Sequence, residues 1–327
     1  MVLQLMSPRG RRLVGGLMAS GLILFFVAAV PRLMALSLIF GPHAGVAMTQ
    51  KQVVDDHQAT LSLPVARPRP VPRIIHQIAH DWISPANETV PMPLAWVKAR
   101  RNCVALHPTW EHKLWDEAVS RQFIRYEYPW FLQAYDDLPS PSKRSEVLRY
   151  FLLRHFGGIY LHLDHACHAN LEPLLYYPTW VVDTGRGALS NAIMASEPEH
   201  PFWITVTDSV TAWAGKPLLP YGANYSTGAW YETKIWELYH ARASKTQPPK
   251  PSLHRIVVDD AHSELFIPGN STWGHPHHTA LEWVGSHPFQ TIYFALLALG
   301  FLVVAALSLG HWAVQHERQQ KGYGLLV

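Results

Sequence analysis

The stretch from Lys143 to Asp164, KRSEVLRYFLLRHFGGIYLHLD, leaves its surroundings little freedom in how they fold. Val147, Leu148, Phe151, Leu152 and Phe156 recur at the offsets that keep apolar side chains on one helical face. Pro141 and Ser142 lie where a helix start and N-cap belong, and Gly157-Gly158 supplies the C-terminal stop. The apolar run from Ile159 to Leu163 then reads as a buried strand that ends in a carboxylate, Asp164. A helix, a diglycine turn and an acid at a strand end form the kind of corner where an open α/β sheet binds a nucleotide and a metal.

The rest of the chain supplies anchors for such a domain. Its 327 residues allow one large domain or two small ones, and a net charge of +3 gives no reason to expect a nucleic-acid partner. Hydrophobic residues make up 48% and concentrate in two segments. Leu13 to Val30 is apolar, about long enough to cross a bilayer, and preceded by Arg9, Arg11 and Arg12. A cleaved signal peptide fits less well than an uncleaved anchor, because further apolar sequence follows at Leu33–Phe40. Thr291 to Gly310 forms a second span, followed by Arg318 and Lys321. Both termini are thus expected on the cytosolic side, with the middle lumenal. Three sequons, at Asn87, Asn224 and Asn270, fall between the spans. The expected division is residues 1–40 tail and anchor, 41–70 a Pro-rich stalk, 71–285 the soluble domain, 286–313 the second span and 314–327 a tail. Cys103 and Cys167 either pair in an oxidising lumen or remain two buried thiols.

RYFLLRHFGGIYLHLD resembles the core motif of the family 32 glycosyltransferases, RYxxLxxxGGIYxDxD. VPRIIHQI (Val71–Ile78) resembles the family's first strand and HPTWEHKLWDE (His107–Glu117) its second strand region; similarity runs from about residue 71 to 275. The branch it looks most like is fungal, of the inositol-phosphorylceramide mannosyltransferase type. The resemblance implies a GT-A type α/β domain, a Rossmann-like mixed sheet flanked by helices, with N- and C-terminal transmembrane helices in the Golgi membrane. It implies a retaining transferase that moves mannose from GDP-mannose onto a sphingolipid acceptor, with a divalent cation, Mn²⁺ ahead of Mg²⁺. It also leaves room for a hetero-oligomer with a regulatory subunit.

Transfer from a nucleotide-diphosphate sugar requires the leaving diphosphate to be neutralised, which a carboxylate-held cation does as a Lewis acid. In a strand, residues i and i+2 point to one side, so Asp-x-Asp places two carboxylates on one ion. Here the first Asp is His162 and only Asp164 remains; imidazole suits Zn²⁺ or other softer ions better than Mg²⁺. His162 is either a working substitute or the mark of a damaged site. By the same resemblance Glu146 and Arg149, one helical turn apart, orient the donor sugar, with Glu in place of the usual Asp. His76, Gln77, Gly157, Gly158, Tyr160 and Asn191 are candidate nucleotide-sugar contacts, with His76 and Gln77 equally readable as satisfied core residues. Ala192 stands where relatives often have Asp, and YSTGAW (Tyr225–Trp230) resembles a family segment, STGP. His275, in the run STWGHPHH, is a candidate last metal ligand or part of a solvated loop. The three departures at His162, Glu146 and Ala192 carry an alternative from another class, a catalytically weak paralogue acting as a noncatalytic partner.

Overall fold

The computed structural model describes residues 16, 19–79, 92–185, 187–213, 227–243, 253–258, 263–267 and 283–323. In chain order the main elements are α1 (Val30–Phe40), β1 (Val46–Thr49), α2 (Gln50–Leu61), β2 (Ile74–Ile78), α3 (Leu94–Leu106), β3 (Glu111–Trp115) and α4 (Glu117–Glu127). Then come α5 (Pro141–Phe156), β4 (Gly158–Leu161), β5 (Ala166–Cys167), β6 (Thr179–Asp183), β7 (Ser190–Ser196) and α6 (Pro201–Trp213). The chain closes with α7 (Ala229–Ala243), β8 (His254–Val257), β9 (Phe266–Ile267) and α8 (Pro288–Tyr323). Two units result, Met1–Gly41 with His277–Val327, and Pro42–Pro276.

The larger unit is built on a seven-stranded sheet in the order β1-β8-β6-β7-β4-β2-β3. Pairing is parallel except at β7, which runs antiparallel to both β4 and β6. Every residue of β4 and β6 is buried, as in strands covered on both faces. On one face Tyr160, Val181 and Met194 pack with Val147, Phe151, Trp203 and Trp236. On the other, Ile159, Leu161, Trp180 and Val182 pack with Cys103, Leu174 and Ile256. The expected mixed α/β sheet is present.

Helix α5 is the central element of the first face. Ser140, rather than Ser142, caps it: its hydroxyl accepts the Lys143 N–H at 3.3 Å, and Pro141 takes the first helical position. At its end Gly157 adopts φ +64° and Gly158 φ +84°. A Cβ at Gly157 would lie 2.6 Å from the Ser196 carbonyl oxygen, and one at Gly158 would lie 2.7 Å from that of Ile74. Both glycines are therefore needed for α5 to reverse into β4 between two neighbouring strands. Their role is in this turn.

His76, expected at the nucleotide, is instead a core residue. It is fully buried in β2, and the Trp115 indole N–H donates to its Nδ1 at 3.1 Å. That leaves Nε2 to carry the proton and donate to the Gly157 carbonyl at 3.0 Å. Burial drives its pKa from 6.5 down to about 3 against the pull of that hydrogen bond.

Residues 41–70 are not a stalk. Strand β1 pairs with β8 at the sheet edge, and α2 follows with a reciprocal Thr49–Gln52 capping box. The Gln50 amide bonds the backbone of Leu265 and Phe266, while Arg67 and Arg69 pair with Asp56 and Glu172. The polarity of this segment is that of an edge strand and a surface helix. Cys103 and Cys167 are joined as a disulfide that ties α3 to β5.

Among the described residues one helix is long and apolar enough to cross a membrane, within α8 at Pro288–Ala305. The N-terminal segment contributes a shorter apolar helix, Ala19–Met34, so a second span is not established. Helix α8 also runs on to Tyr323, past the expected end at 313.

Replacing Gly157 by Ala should cost about 1–3 kcal/mol for a backbone conformation (φ 64°, ψ −150°) that is essentially confined to glycine, with the Ser196 contact adding to it. Urea unfolding of the full chain in detergent micelles measures this, and an unchanged midpoint would contradict the turn's role. His76 adds a pH dependence. Its pKa is depressed in the folded state, so its contribution to stability is whole above pH 6.5 and is lost as pH falls toward about 3. The stability gap between wild type and His76→Gln should therefore shrink from about pH 7 to about pH 4; a constant gap would contradict a buried neutral imidazole.

Candidate active site

The expected strand run stops at Leu161, and His162 to His165 form a turn closed by the His165 N–H on the His162 carbonyl at 3.0 Å. The His162 N–H in turn donates to the Ala192 carbonyl of β7 at 2.8 Å. Position 192 therefore supports the corner through its backbone, which an Ala provides as well as an Asp. Because the segment is a turn, its first and fourth residues approach each other, which adds His165 to the expected pair. Asp164 Oδ1 accepts a hydrogen bond from His162 Nδ1 at 2.5 Å and another from His165 Nδ1.

His165 was not singled out by the strand pattern. The signal was present in HLDH, whose two histidines are spaced for one β-turn. Burial pushes the Asp164 carboxyl up, but the hydrogen bonds from His162 and His165 overcome it and hold the group well below the usual carboxylate range. Burial lowers the His162 pKa by more than its bond to Asp164 raises it, so this imidazole is neutral near pH 7. The donor set fits a divalent cation. One atom from each of His162, Asp164 and His165 lies within 4.8 Å of the others, and both donor types are common ligands. The other expected ligand, His275, lies outside the described residues.

Beside this turn, α5 presents Glu146 and Arg149. The Arg149 guanidinium is buried, with its Nη1 donating to the Asn191 carbonyl at 2.6 Å and its Nε to the Ser145 carbonyl at 3.3 Å. It also lies 4.7 Å above the Tyr160 ring centroid. Its field is one of the influences that lower the His162 pKa, which places Arg149 at the same corner. Glu146 turns away from Arg149. Its Oε2 accepts from Lys143 Nζ and from the Thr227 hydroxyl, both at 2.6 Å. A Cβ at Gly228 would lie 3.1 Å from Oε1, so the glycine makes room for the extra methylene of Glu. The small residues of this segment receive Glu146, and of YSTGAW only Thr227–Trp230 lie within the described residues.

The Asn191 side chain reaches the Tyr150 hydroxyl, at 3.5 Å, and that hydroxyl donates to the Thr227 carbonyl at 2.9 Å. Beneath this network lies Glu232, fully buried, with the Tyr150 hydroxyl and the Arg149 guanidinium as its polar neighbours. Burial raises its pKa well above the ordinary value, against the pull of Arg149 and of the Tyr150 hydroxyl. No motif in the sequence marks this residue. Its signal is a carboxylate one helical turn before Trp236 on the apolar face of α7. Gln77 is buried in β2 and its Nε2 has no partner among the described residues, which keeps it a candidate contact. The structure thus gathers His162, Asp164, Arg149, Tyr160 and Asn191, keeps Glu146 one contact away, and assigns His76, Gly157 and Gly158 to the fold. A separate cleft of about 530 Å³, lined by Arg73, Trp110, Glu172 and Glu264 among others, opens beside the N-terminal ends of β2 and β3.

Residues 93–180, which contain this corner, match the family described as "Glycosyltransferase sugar-binding region containing DXD motif". Inositol phosphoceramide mannosyltransferase 3 of Schizosaccharomyces pombe is 40% identical over 211 residues, 62% of this chain and 56% of that protein. Inositol phosphoceramide mannosyltransferase 2 of the same yeast is 39% identical over 55% of this chain and 49% of its own. The chain thus spans about half the length of these two relatives. A mannosyl phosphorylinositol ceramide synthase of Saccharomyces cerevisiae is 34% identical over 280 residues, 85% of this chain and 72% of the relative. The chain belongs to the DXD-motif glycosyltransferase family that includes these yeast proteins.

Proposed function

We propose that this chain is a retaining GT-A type mannosyltransferase that moves mannose from GDP-mannose onto inositol-phosphorylceramide. The observation that carries this is the 34% identity to a mannosyl phosphorylinositol ceramide synthase over 72% of that protein. The corner supports it. Arg149 is a buried cation held by carbonyls, with no carboxylate in an ion pair with it among the described residues. A buried charge of that kind is stabilised by an anionic ligand, and a diphosphate has the matching geometry for a guanidinium. A divalent cation bound at His162 and Asp164 would supply Lewis-acid neutralisation of the diphosphate. The substituted position therefore still offers a metal-binding atom, and the relatives' names are those of transferases, so the noncatalytic alternative is not favoured.

Retention needs no separate base on the protein. The departing phosphate accepts the proton of the inositol hydroxyl on the same face of the sugar, and the chain's own contribution is positioning and electrostatics. Arg149 holds the negative charge, Tyr160 and the Asn191 carbonyl hold Arg149, and Gln77 offers an unsatisfied amide. Two spans, one in α8 and one in the N-terminal apolar segment, would keep the domain at the bilayer surface where a lipid acceptor is presented. The Cys103–Cys167 disulfide suits an oxidising compartment, here the Golgi lumen.

Full-length protein in detergent micelles with Mn²⁺, GDP-mannose and inositol-phosphorylceramide should form the mannosylated lipid. Asp164→Ala should lower the rate at least about 100-fold. Arg149→Lys should lower it roughly 10-fold, because a point charge does not reproduce the stacked planar guanidinium. An Asp164→Ala protein as active as wild type would sink the assignment.

A further inference from the structure

We infer that this corner is a three-donor His162–Asp164–His165 chelate that holds a borderline-soft divalent ion such as Zn²⁺ without help from a nucleotide, and discriminates against Mg²⁺. This deepens the transferase proposal by assigning the ion's preference and a ligand, His165, outside the two positions of the DXD pattern.

Three observations converge on it. The first is the donor set, two imidazole nitrogens and one carboxylate oxygen within 4.8 Å of one another. Imidazole favours Zn²⁺ and later first-row ions, whereas Mg²⁺ prefers an all-oxygen shell and retains its waters. The second is the ligand's position. His165 is buried at 4% exposure, and its imidazole is turned onto Asp164. Burying the imidazole costs desolvation, which its hydrogen bond to Asp164 offsets. The third is preorganisation. The His162–His165 turn is closed by its own backbone bond and held to β7 through Ala192. Just downstream, β5 pairs with β9, Cys167 is bonded to Cys103, and the Asn102 amide donates to the Cys167 carbonyl at 2.6 Å. Donors fixed on a braced turn have little ordering cost left to meet when an ion arrives. In the free corner both Nδ1 atoms face Asp164 Oδ1, so an ion seated there displaces two imidazole–carboxylate hydrogen bonds.

The test is calorimetric titration of the full chain in detergent micelles with ZnCl₂, MnCl₂ and MgCl₂, no nucleotide present. Zn²⁺ should bind at this corner more tightly than Mn²⁺, with no heat from Mg²⁺. His165→Ala should weaken the corner's Zn²⁺ affinity roughly 10-fold or more, and His162→Ala/His165→Ala should remove one bound ion per chain. His162→Asp should shift the preference toward Mn²⁺ and Mg²⁺. His168→Ala, an exposed neighbour outside the cluster, should change nothing. Circular dichroism of each variant separates loss of a ligand from loss of fold, and an unfolded His165→Ala is replaced by His165→Gln in the same titration. An unchanged Zn²⁺ count and affinity in the folded double variant would overturn the proposal, as would Mg²⁺ binding as tight as Zn²⁺. Neither outcome depends on mannosyl transfer, so failure of the transferase assignment would be seen separately, as an inactive enzyme whose corner still binds metal.

Discussion

The chain reversal at Gly157 and Gly158 is the constraint on which the rest of the site depends. It takes a helix buried around most of its circumference and returns it as β4 between β2 and β7, with no room for a side chain at either glycine. The reversal is clamped from one side by the His76 imidazole on the Gly157 carbonyl, and that imidazole is fixed by the Trp115 indole. Arg149 can then lie across the Tyr160 ring while the strand's next residues form the His162–His165 turn. Sheet geometry thus sets the distance between the guanidinium and the carboxylate of the corner.

Charge is distributed unevenly around that corner, and the imbalance is informative. Arg149 is buried with carbonyls for company, Glu146 is committed to Lys143 and Thr227, and burial raises the Glu232 pKa well above its ordinary value. Among the described residues no ion pair joins Arg149 to either carboxylate. Placing a lone cation in a low-dielectric site costs several kcal/mol, a cost that an anionic ligand reverses. Asp164, by contrast, is stabilised as the anion by two imidazole donors. A site with one anionic ligand for a metal and one separate cation is suited to a metal-bound diphosphate.

Much of this was legible in the sequence, for identifiable reasons. The apolar spacing from Val147 to Phe156 and the diglycine stop foretold α5 and its end, because a buried helix and a positive-φ glycine turn leave strong local signatures. The family resemblance named Arg149, Asp164 and Asn191, which do converge. What was missed was set by long-range packing. His76 sits beside a motif, yet a tryptophan 39 residues away makes it a core group. Residues 41–70 look like a linker because an edge strand and a surface helix are polar, and their pairing with β8 is about 200 residues distant in sequence. The extension of strand β4 to Leu163 failed because apolar Leu163 is buried inside a turn, and periodicity alone does not separate the two. That same error hid His165.

The most direct test is a crystal structure of the full chain with GDP and Mn²⁺, located by anomalous scattering. The account predicts the metal peak at the His162–Asp164–His165 turn, with the diphosphate between the ion and Arg149. Metal and nucleotide bound instead in the cleft beside Arg73 and Trp110, with the His162–His165 turn and Arg149 untouched, would contradict it.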